Sequence, residues 1–261
     1  MASDLVSRPP RTRGRFGRRA LALLVLVGAL GASTAPTAAA SLLKRLDFES
    51  GSLRQWAGIQ AVRGRINVVP SPVRQGHFAA KFTVKPGDHP VSGGERADVW
   101  WNSHEHEGTE SWWRWSTLFP KGFHPNRGYW NFFTQWHHTG TTCMPPVSFT
   151  IANPAPPAQL RLQIWGGRLN TSTCSSQYQH LWNIGKLTRN HWYRFVFHVK
   201  WSSYPSVGFV SLRVNGHTRV PKTHLATLYR GYGVYVKQGF YRGESMKTTT
   251  LFHDGLQRFR P

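Results

Sequence analysis

The sequence predicts an all-β protein folded as a two-sheet jelly-roll sandwich. Short segments rich in Val, Phe, Trp, Tyr and Thr recur along the chain, bounded by Gly, Pro, Asn and Ser, which is the pattern of a β-sandwich. Helical periodicity is scarce. Several segments also set an apolar face against a polar-aromatic one. A sandwich with one concave, ligand-bearing sheet requires this, because successive side chains of a strand point to opposite faces.

The first forty residues read as a leader rather than as part of that sandwich. Arg8, Arg11, Arg13, Arg15, Arg18 and Arg19 make a basic start, an apolar stretch runs from Ala20 to Leu30, and small residues lead to Ala38-Ala39-Ala40. That is the order of a secretory (Sec) signal peptide, and Arg18-Arg19 is a loose match to a twin-arginine (Tat) signal. The apolar stretch is shorter than the about 20 residues a membrane span needs; the alternative is an uncleaved N-terminal anchor. The expected organisation is a signal peptide over 1–40 and one β domain over 41–261, long enough for a core of its own. The mature protein is expected to be extracellular and monomeric.

Within 41–261 the expected strands are Ile66–Val69, Ala79–Val84, Arg96–Trp101, Glu110–Leu118, Trp130–His137, Ser148–Ile151, Leu160–Trp165, Trp192–Lys200, Gly208–Val214, Gly233–Tyr241 and Thr248–Arg258. Asn215-Gly216 predicts a hairpin, because Asn-Gly suits a type I′ turn. Pro154–Pro157 reads as a loop. Alternation along Trp130–His137 puts Trp130, Phe132, Thr134 and Trp136 on a core face and Asn131, Phe133, Gln135 and His137 on a polar one. Leu160, Leu162 and Ile164 likewise oppose Arg161, Gln163 and Trp165, while Tyr235, Lys237 and Tyr241 share a face. The candidate substrate-binding residues are Lys237, Tyr235, Asn131, Arg161, Gln163 and Arg242.

The chain carries 33 Lys and Arg against 11 Asp and Glu. Six of those cations and one acid fall in the first forty residues, so the remainder holds 27 against 10, a net charge of +17. Such a field attracts polyanions. Export disfavours nucleic acid as the working partner, and the lack of a basic amphipathic helix disfavours a membrane surface. An acidic polysaccharide remains. Cys143 and Cys174 are the only cysteines; in an exported chain an even pair most simply means one disulfide.

Three segments carry chemistry: Gly94-Glu95-Arg96-Ala97-Asp98-Val99-Trp100, Gln135-Trp136-His137 and Tyr235-Val236-Lys237-Gln238-Gly239-Phe240-Tyr241-Arg242. They resemble, in the same order, the Arg-x-Glu, Gln-x-His and Tyr-x-Lys-x-Gly-x-Tyr strands of jelly-roll polysaccharide lyases: the alginate lyases, the glucuronan lyases and the heparin lyase I type. The ending Gly-Phe-Tyr-Arg is most similar to the heparin lyase I group, as are Asp47-Phe48-Glu49-Ser50-Gly51 and His253-Asp254-Gly255, which resemble its edge strands. The resemblance spans most of 44–259. It implies a concanavalin/laminarin-binding-like sandwich and a secreted enzyme that cleaves a uronic-acid polymer (alginate, glucuronan or glycosaminoglycan class) by β-elimination. Asp98 stands where the alginate lyase pattern has Glu, and Trp100 where a second Arg often stands; both bear on the substrate more than on the reaction.

The chemistry explains these residue types. The C5 proton of a uronate lies beside a carboxylate and is poorly acidic, so the carboxylate must be neutralised and the developing charge stabilised. Arg96 and Gln135 carry suitable donors. His137 or Tyr241 could be the base, and Tyr241 is the best candidate for the acid that protonates the leaving oxygen. A tyrosine, with an ordinary pKa of about 10, acts as a base only where cations favour the phenolate; Lys237 could supply that field or grip a carboxylate. The resemblance thus makes Arg96, Gln135, His137 and Tyr241 the candidate catalytic residues. Taken singly, each has an ordinary explanation: a solvated arginine, a surface histidine, a half-buried sheet tyrosine. No cofactor is expected in catalysis. A structural Ca²⁺ through oxygen ligands stays open, without an Asp-rich loop to support it.

Two other function classes compete. A glycoside hydrolase needs two carboxylates flanking the bond. The Glu-x-Asp-x-x-Glu strand of sandwich hydrolases is absent, and Glu105-His106-Glu107 reads as a loop. A non-catalytic glycan-binding module would share the fold and the charge but has no need of Gln135, His137 and Tyr241 together.

Overall fold

Strand β6 (Glu110–Phe119) shows why this chain folds into sheets. Its Trp113, Trp115 and Phe119 turn inward and are buried, while Trp112 and Arg114 turn outward. Its neighbour β11 (His191–Lys200) repeats the period with Tyr193, Phe195, Phe197 and Val199 inward. Burying each such side chain contributes about 2–3 kcal/mol, and alternation directs all of that to one face.

The computed structural model describes residues 41–128, 130–140, 142–152 and 157–261. The leader expected over 1–40, and residues 154–156 of the expected loop, lie outside the described residues. The remaining strands are β1 (Leu42–Leu46), β2 (Gly58–Ala61), β3 (Ile66–Val69), β4 (Ala79–Val84), β5 (Glu95–Glu105), β7 (Asn131–His138), β8 (Val147–Ala152), β9 (Gln159–Asn170), β10 (Ser175–Lys186), β12 (Phe209–Val214), β13 (His217–His224), β14 (Val234–Arg242) and β15 (Thr249–Phe259). There is no helix among the described residues. One sheet runs β13-β12-β11-β6-β15-β4-β3, with β1 also on β15; the other runs β10-β9-β8-β7-β14-β5-β2. All of these strand pairs are antiparallel.

The sheets pack face to face. Trp136 of the second sheet meets Trp113 of the first edge-on at 5.2 Å between ring centroids, and Phe149 meets Trp115 in the same way at 4.9 Å. The fold is the all-β two-sheet sandwich that the sequence predicts. Cys143 and Cys174 are bonded to each other, joining the β7–β8 connection to the β9–β10 turn. Asn215 and Gly216 both have positive φ, 53° and 84°, as a type I′ hairpin demands.

Several local expectations are overturned. Strands β1, β2, β10 and β13 are additional, and Glu105 ends β5 rather than lying in a loop. Asp47–Gly51 is a turn after β1, not an edge strand; the Gly51 amide donates to the Phe48 carbonyl. His253-Asp254-Gly255 lies within β15, which is interior to its sheet. The parity expected for Trp130–His137 also fails at its start. The β7–β8 register shifts between Phe132 and Thr134, so Phe133 and Thr134 both turn inward. Phe133 packs on Phe119, Phe149 and Phe195 in the core, and Phe132 is delivered to the opposite face, stacked on Tyr241. A β-bulge does this by inserting one unpaired residue into the alternation.

Candidate active site

Strand β14 is the middle of three strands that carry the motifs, with β5 on one side and β7 on the other. The register forms rungs across them. Arg96, Tyr241 and Phe132 make one, Trp100, Lys237 and Gln135 another, and Tyr235 pairs with His137 in a third. These side chains, without Trp100, floor a groove of about 680 Å³ whose walls are the Val91–Gly93 segment, Trp130 and the segment from Thr142 to Pro145. No carboxylate is among the described residues lining it. The glycine of the third motif also finds its reason here. Gly239 has φ 149°, and a Cβ there would collide with the Ala97 carbonyl and crowd Asp98, so only glycine lets β14 and β5 close at that rung.

The floor is a network of cations. The Lys237 ammonium lies 3.1 Å from Asp98, with both residues buried. It also donates to Gln60 Oε1 at 2.7 Å, and Arg96 Nη1 donates to the same oxygen at 3.4 Å. Arg96 Nη2 donates to the Ser92 carbonyl, and its guanidinium carbon lies 3.8 Å from the Tyr241 ring centroid, close enough for a cation–π contact. Tyr241 is thus held between Arg96 and Phe132, and its hydroxyl accepts from the Gly94 amide at 3.4 Å.

His137 Nδ1 lies 2.9 Å from the His138 carbonyl, so that nitrogen bears the proton and Nε2 keeps the lone pair. Burial, together with the charges of His138, Lys237 and Arg96, lowers its pKa to about 4 against the weaker opposing effect of the carbonyl. His137 is therefore neutral at neutral pH. Burial and the Asp98 charge raise the Tyr235 phenol, which keeps it a proton-bearing donor facing His137 at 5.7 Å between centroids.

A larger cavity, about 1140 Å³, opens at the sheet end by Glu95, His124 and Arg189, but none of Arg96, Gln135, His137 or Tyr241 lines it. No group of three or more His, Cys, Asp or Glu among the described residues is arranged to hold a metal ion.

A family model for polysaccharide lyases matches residues 48–257, four-fifths of the chain. The chain belongs to the polysaccharide lyase family. No curated protein matches the lyase in sequence. Solved structures share its fold. An endo-β-1,4-glucuronan lyase from the fungus Trichoderma reesei superposes with a TM-score of 0.68 at 18% identity, covering 85% of this chain and 96% of that one. The alginate lyase Aly36B gives 0.51 at 13% identity, covering 86% and 93%. A glycoside hydrolase family 131 catalytic domain from Coprinopsis cinerea gives 0.53 at 10% identity, covering 84% and 94%. At these identities the likeness is one of fold, and the same fold carries hydrolysis as well as elimination.

In the lyase, six sequence-predicted residues converge on the groove: Arg96, Gln135, His137 and Tyr241 with Tyr235 and Lys237. Gln163 and Arg161 share the face but lie two strands beyond Gln135, in register with Ser148 and Thr150 of β8; they do not line the groove, and Arg161 is engaged with Asn183. Asn131 and Arg242 are corrections, since both are fully buried and face away from the groove. Asn131 accepts from the Asn126 amide and donates to the Ile151 carbonyl, so the bulge leaves it pinning a loop. Arg242, one residue past Tyr241, falls on the opposite face, where it pairs with Glu95 at 2.8 Å and donates to Thr249 of the other sheet. Gln60 and Phe132 are the floor residues that sequence reasoning missed, and Trp130, expected on the core face, stands exposed in the groove wall instead. The first sits on a four-residue edge strand with no motif, and the second was hidden by the bulge.

Proposed function

We propose that the lyase cleaves a uronic-acid-containing polysaccharide by β-elimination in the groove floored by β5, β14 and β7. The observation that carries the reading is the meeting of Arg96, Lys237 and Gln135 with His137 and Tyr241 in a groove lined by no carboxylate. Two cations and an amide suit a substrate carboxylate, while two-carboxylate hydrolysis lacks its residues there. Arg96, Lys237 and Gln135 bind the uronate carboxylate and stabilise the charge that develops on it. His137 Nε2 takes the C5 proton, the electron pair forms the C4–C5 double bond, the C4–O bond breaks, and the Tyr241 hydroxyl protonates the departing oxygen. A pKa of about 4 makes His137 by itself a weak base. Burial is the main cause of that depression and the charges of Lys237 and Arg96 a smaller one; an entering carboxylate offsets the smaller, cationic part and so shifts the base upward. We further propose that residues 1–40 direct export, so that the polymer is met outside the cell.

Glucuronan and alginate, the polymers named for two of the structural neighbours, are the first substrates to test, followed by heparin and hyaluronan. Cleavage should raise the ultraviolet absorbance of the unsaturated uronate on at least one. His137→Ala and Tyr241→Phe should each lower turnover by about 10²–10⁴-fold with the thermal midpoint retained. A polymer that binds without any product ending in an unsaturated uronate would overturn elimination, and full activity in either variant would remove that residue from the scheme.

A further inference from the structure

The outer face of the first sheet, on the far side of the sandwich from the groove, carries cations that the reaction does not use. Arg114 of β6 stands opposite Val196 of β11, Val196 opposite Arg213 of β12, and Arg213 opposite Thr218 of β13. The two arginines are therefore two strands, about 10 Å, apart, close to the spacing of every second sugar in an extended hexuronate chain. Together with Arg194 and Lys222 they line a depression of about 620 Å³. A second depression, about 560 Å³, shares Arg194 and Gly216 with the first and extends the track past Trp192 and His191 to Arg74. Neither has an acid among its described lining residues.

Arg114, Arg194, Arg213 and Lys222 are exposed and form no ion pair among the described residues. Glu110, an acid on this face, is taken by His198 and Lys200. Rings brace the track: Arg114 lies over Phe259 at 4.5 Å, Lys222 over Phe209 at 4.0 Å, and Trp112 stacks on His198 at 3.8 Å. Like charges without counter-charge on one sheet face repel one another at some cost to folding stability.

We propose that this face is a second binding track for acidic polysaccharide, which holds the polymer to the enzyme while another stretch of it occupies the groove. It rests on the acidic-polysaccharide reading of the groove for the identity of the ligand. Charge without counter-charge selects a polyanion, and the linear run of two joined depressions suits a chain. The track contributes none of the exposed large apolar side chains that would enter a bilayer. Tethering of this kind raises the effective substrate concentration at the groove without touching the chemistry.

The test is native affinity electrophoresis of the full chain through gels holding glucuronan, alginate or heparin, with duplex DNA and anionic phosphatidylserine vesicles in parallel. It is run on wild type, on Arg114→Gln/Arg194→Gln/Arg213→Gln, and on the matching triple Lys variant. The Gln variant should lose about tenfold in polysaccharide affinity, since each exposed pairing is worth a fraction of a factor of ten. The Lys variant should retain it, and kcat/KM on a short oligouronate should stay within about twofold while KM for polymer rises. Unchanged retardation of the Gln variant would overturn the proposal, as would equal or stronger binding of DNA or vesicles through the same arginines. Retardation does not need turnover. If no polymer yields unsaturated product yet the Gln variant still loses its retardation, the groove reading fails and the track stands.

Discussion

Gln60 shows how much of a site can hang on a residue without a motif. Two cations, Lys237 and Arg96, converge on its side-chain oxygen, and their mutual repulsion is relieved there and at Asp98. A hydrogen bond to a charged group contributes about 1.5–3 kcal/mol. Gln60→Ala should therefore let both cations drift and lower kcat/KM about tenfold. Gln60→Glu should do more harm, because a carboxylate fixed on those cations competes with the substrate's own. Steady-state kinetics on the polymer decide it, and equal kcat/KM in Gln60→Glu and wild type would refute the role. The motif residues were legible because their chemistry is written in residue type and strand parity. Gln60 was not, because a glutamine between Ile59 and Ala61 carries no such mark. Residue type misled in the other direction at Asn131 and Arg242, polar side chains that satisfy buried carbonyls and a buried carboxylate instead of meeting ligand.

Three of the four strands that sequence reasoning missed share a cause. Strands β2, β10 and β13 are sheet edges, where burial on one face is incomplete and alternation fades; His217–His224 is mostly exposed polar residues. The bulge in β7 is unreadable for a different reason, since one inserted residue leaves composition intact while reversing every face before it. The Cys143–Cys174 bond was legible from cysteine count alone, and its placement gives it a task. Cys143 lies in the groove wall between Thr142 and Pro145, and His138 Nε2 also donates to its carbonyl. A cross-link spanning 31 residues contributes about 3–4 kcal/mol by restricting the unfolded chain. The Cys143→Ala/Cys174→Ala variant should lose about that much in urea unfolding and show a higher KM from a looser wall. An unchanged KM would confine the bond to a role in stability.

Across the whole sandwich, the fold is held by inward aromatic rows and by polar groups that tie the two sheets together, and one of these makes stability depend on pH. His253 of β15 is fully buried, with Nδ1 accepting from the Thr117 hydroxyl at 3.0 Å and Nε2–H donating to the Gly239 carbonyl of the opposite sheet at 3.1 Å. Burial lowers its pKa to about 3, and that of His137 to about 4, against about 6.5 in the unfolded chain. Below pH ~6.5 the unfolded state binds protons that the folded state refuses, so stability falls as pH drops toward those values. Asp254 acts in the opposite sense. Burial pushes its carboxyl up to about 6, so between pH ~6 and its unfolded value of about 3.9 the folded state holds the extra proton and gains. Among these three groups the two histidines span more pH units than the aspartate, and each unit is worth about 1.4 kcal/mol, so their combined effect in acid is destabilising. Urea unfolding of wild type should show a midpoint that falls between pH 7 and pH 4.5. His253→Gln, which keeps hydrogen-bonding capacity without a titrating ring, should be less stable at pH 7 yet lose less over the same interval. Comparing the two chains cancels the general repulsion that acid adds to an already cationic protein, and parallel losses in both would show that the buried imidazole between the sheets is not what acid attacks.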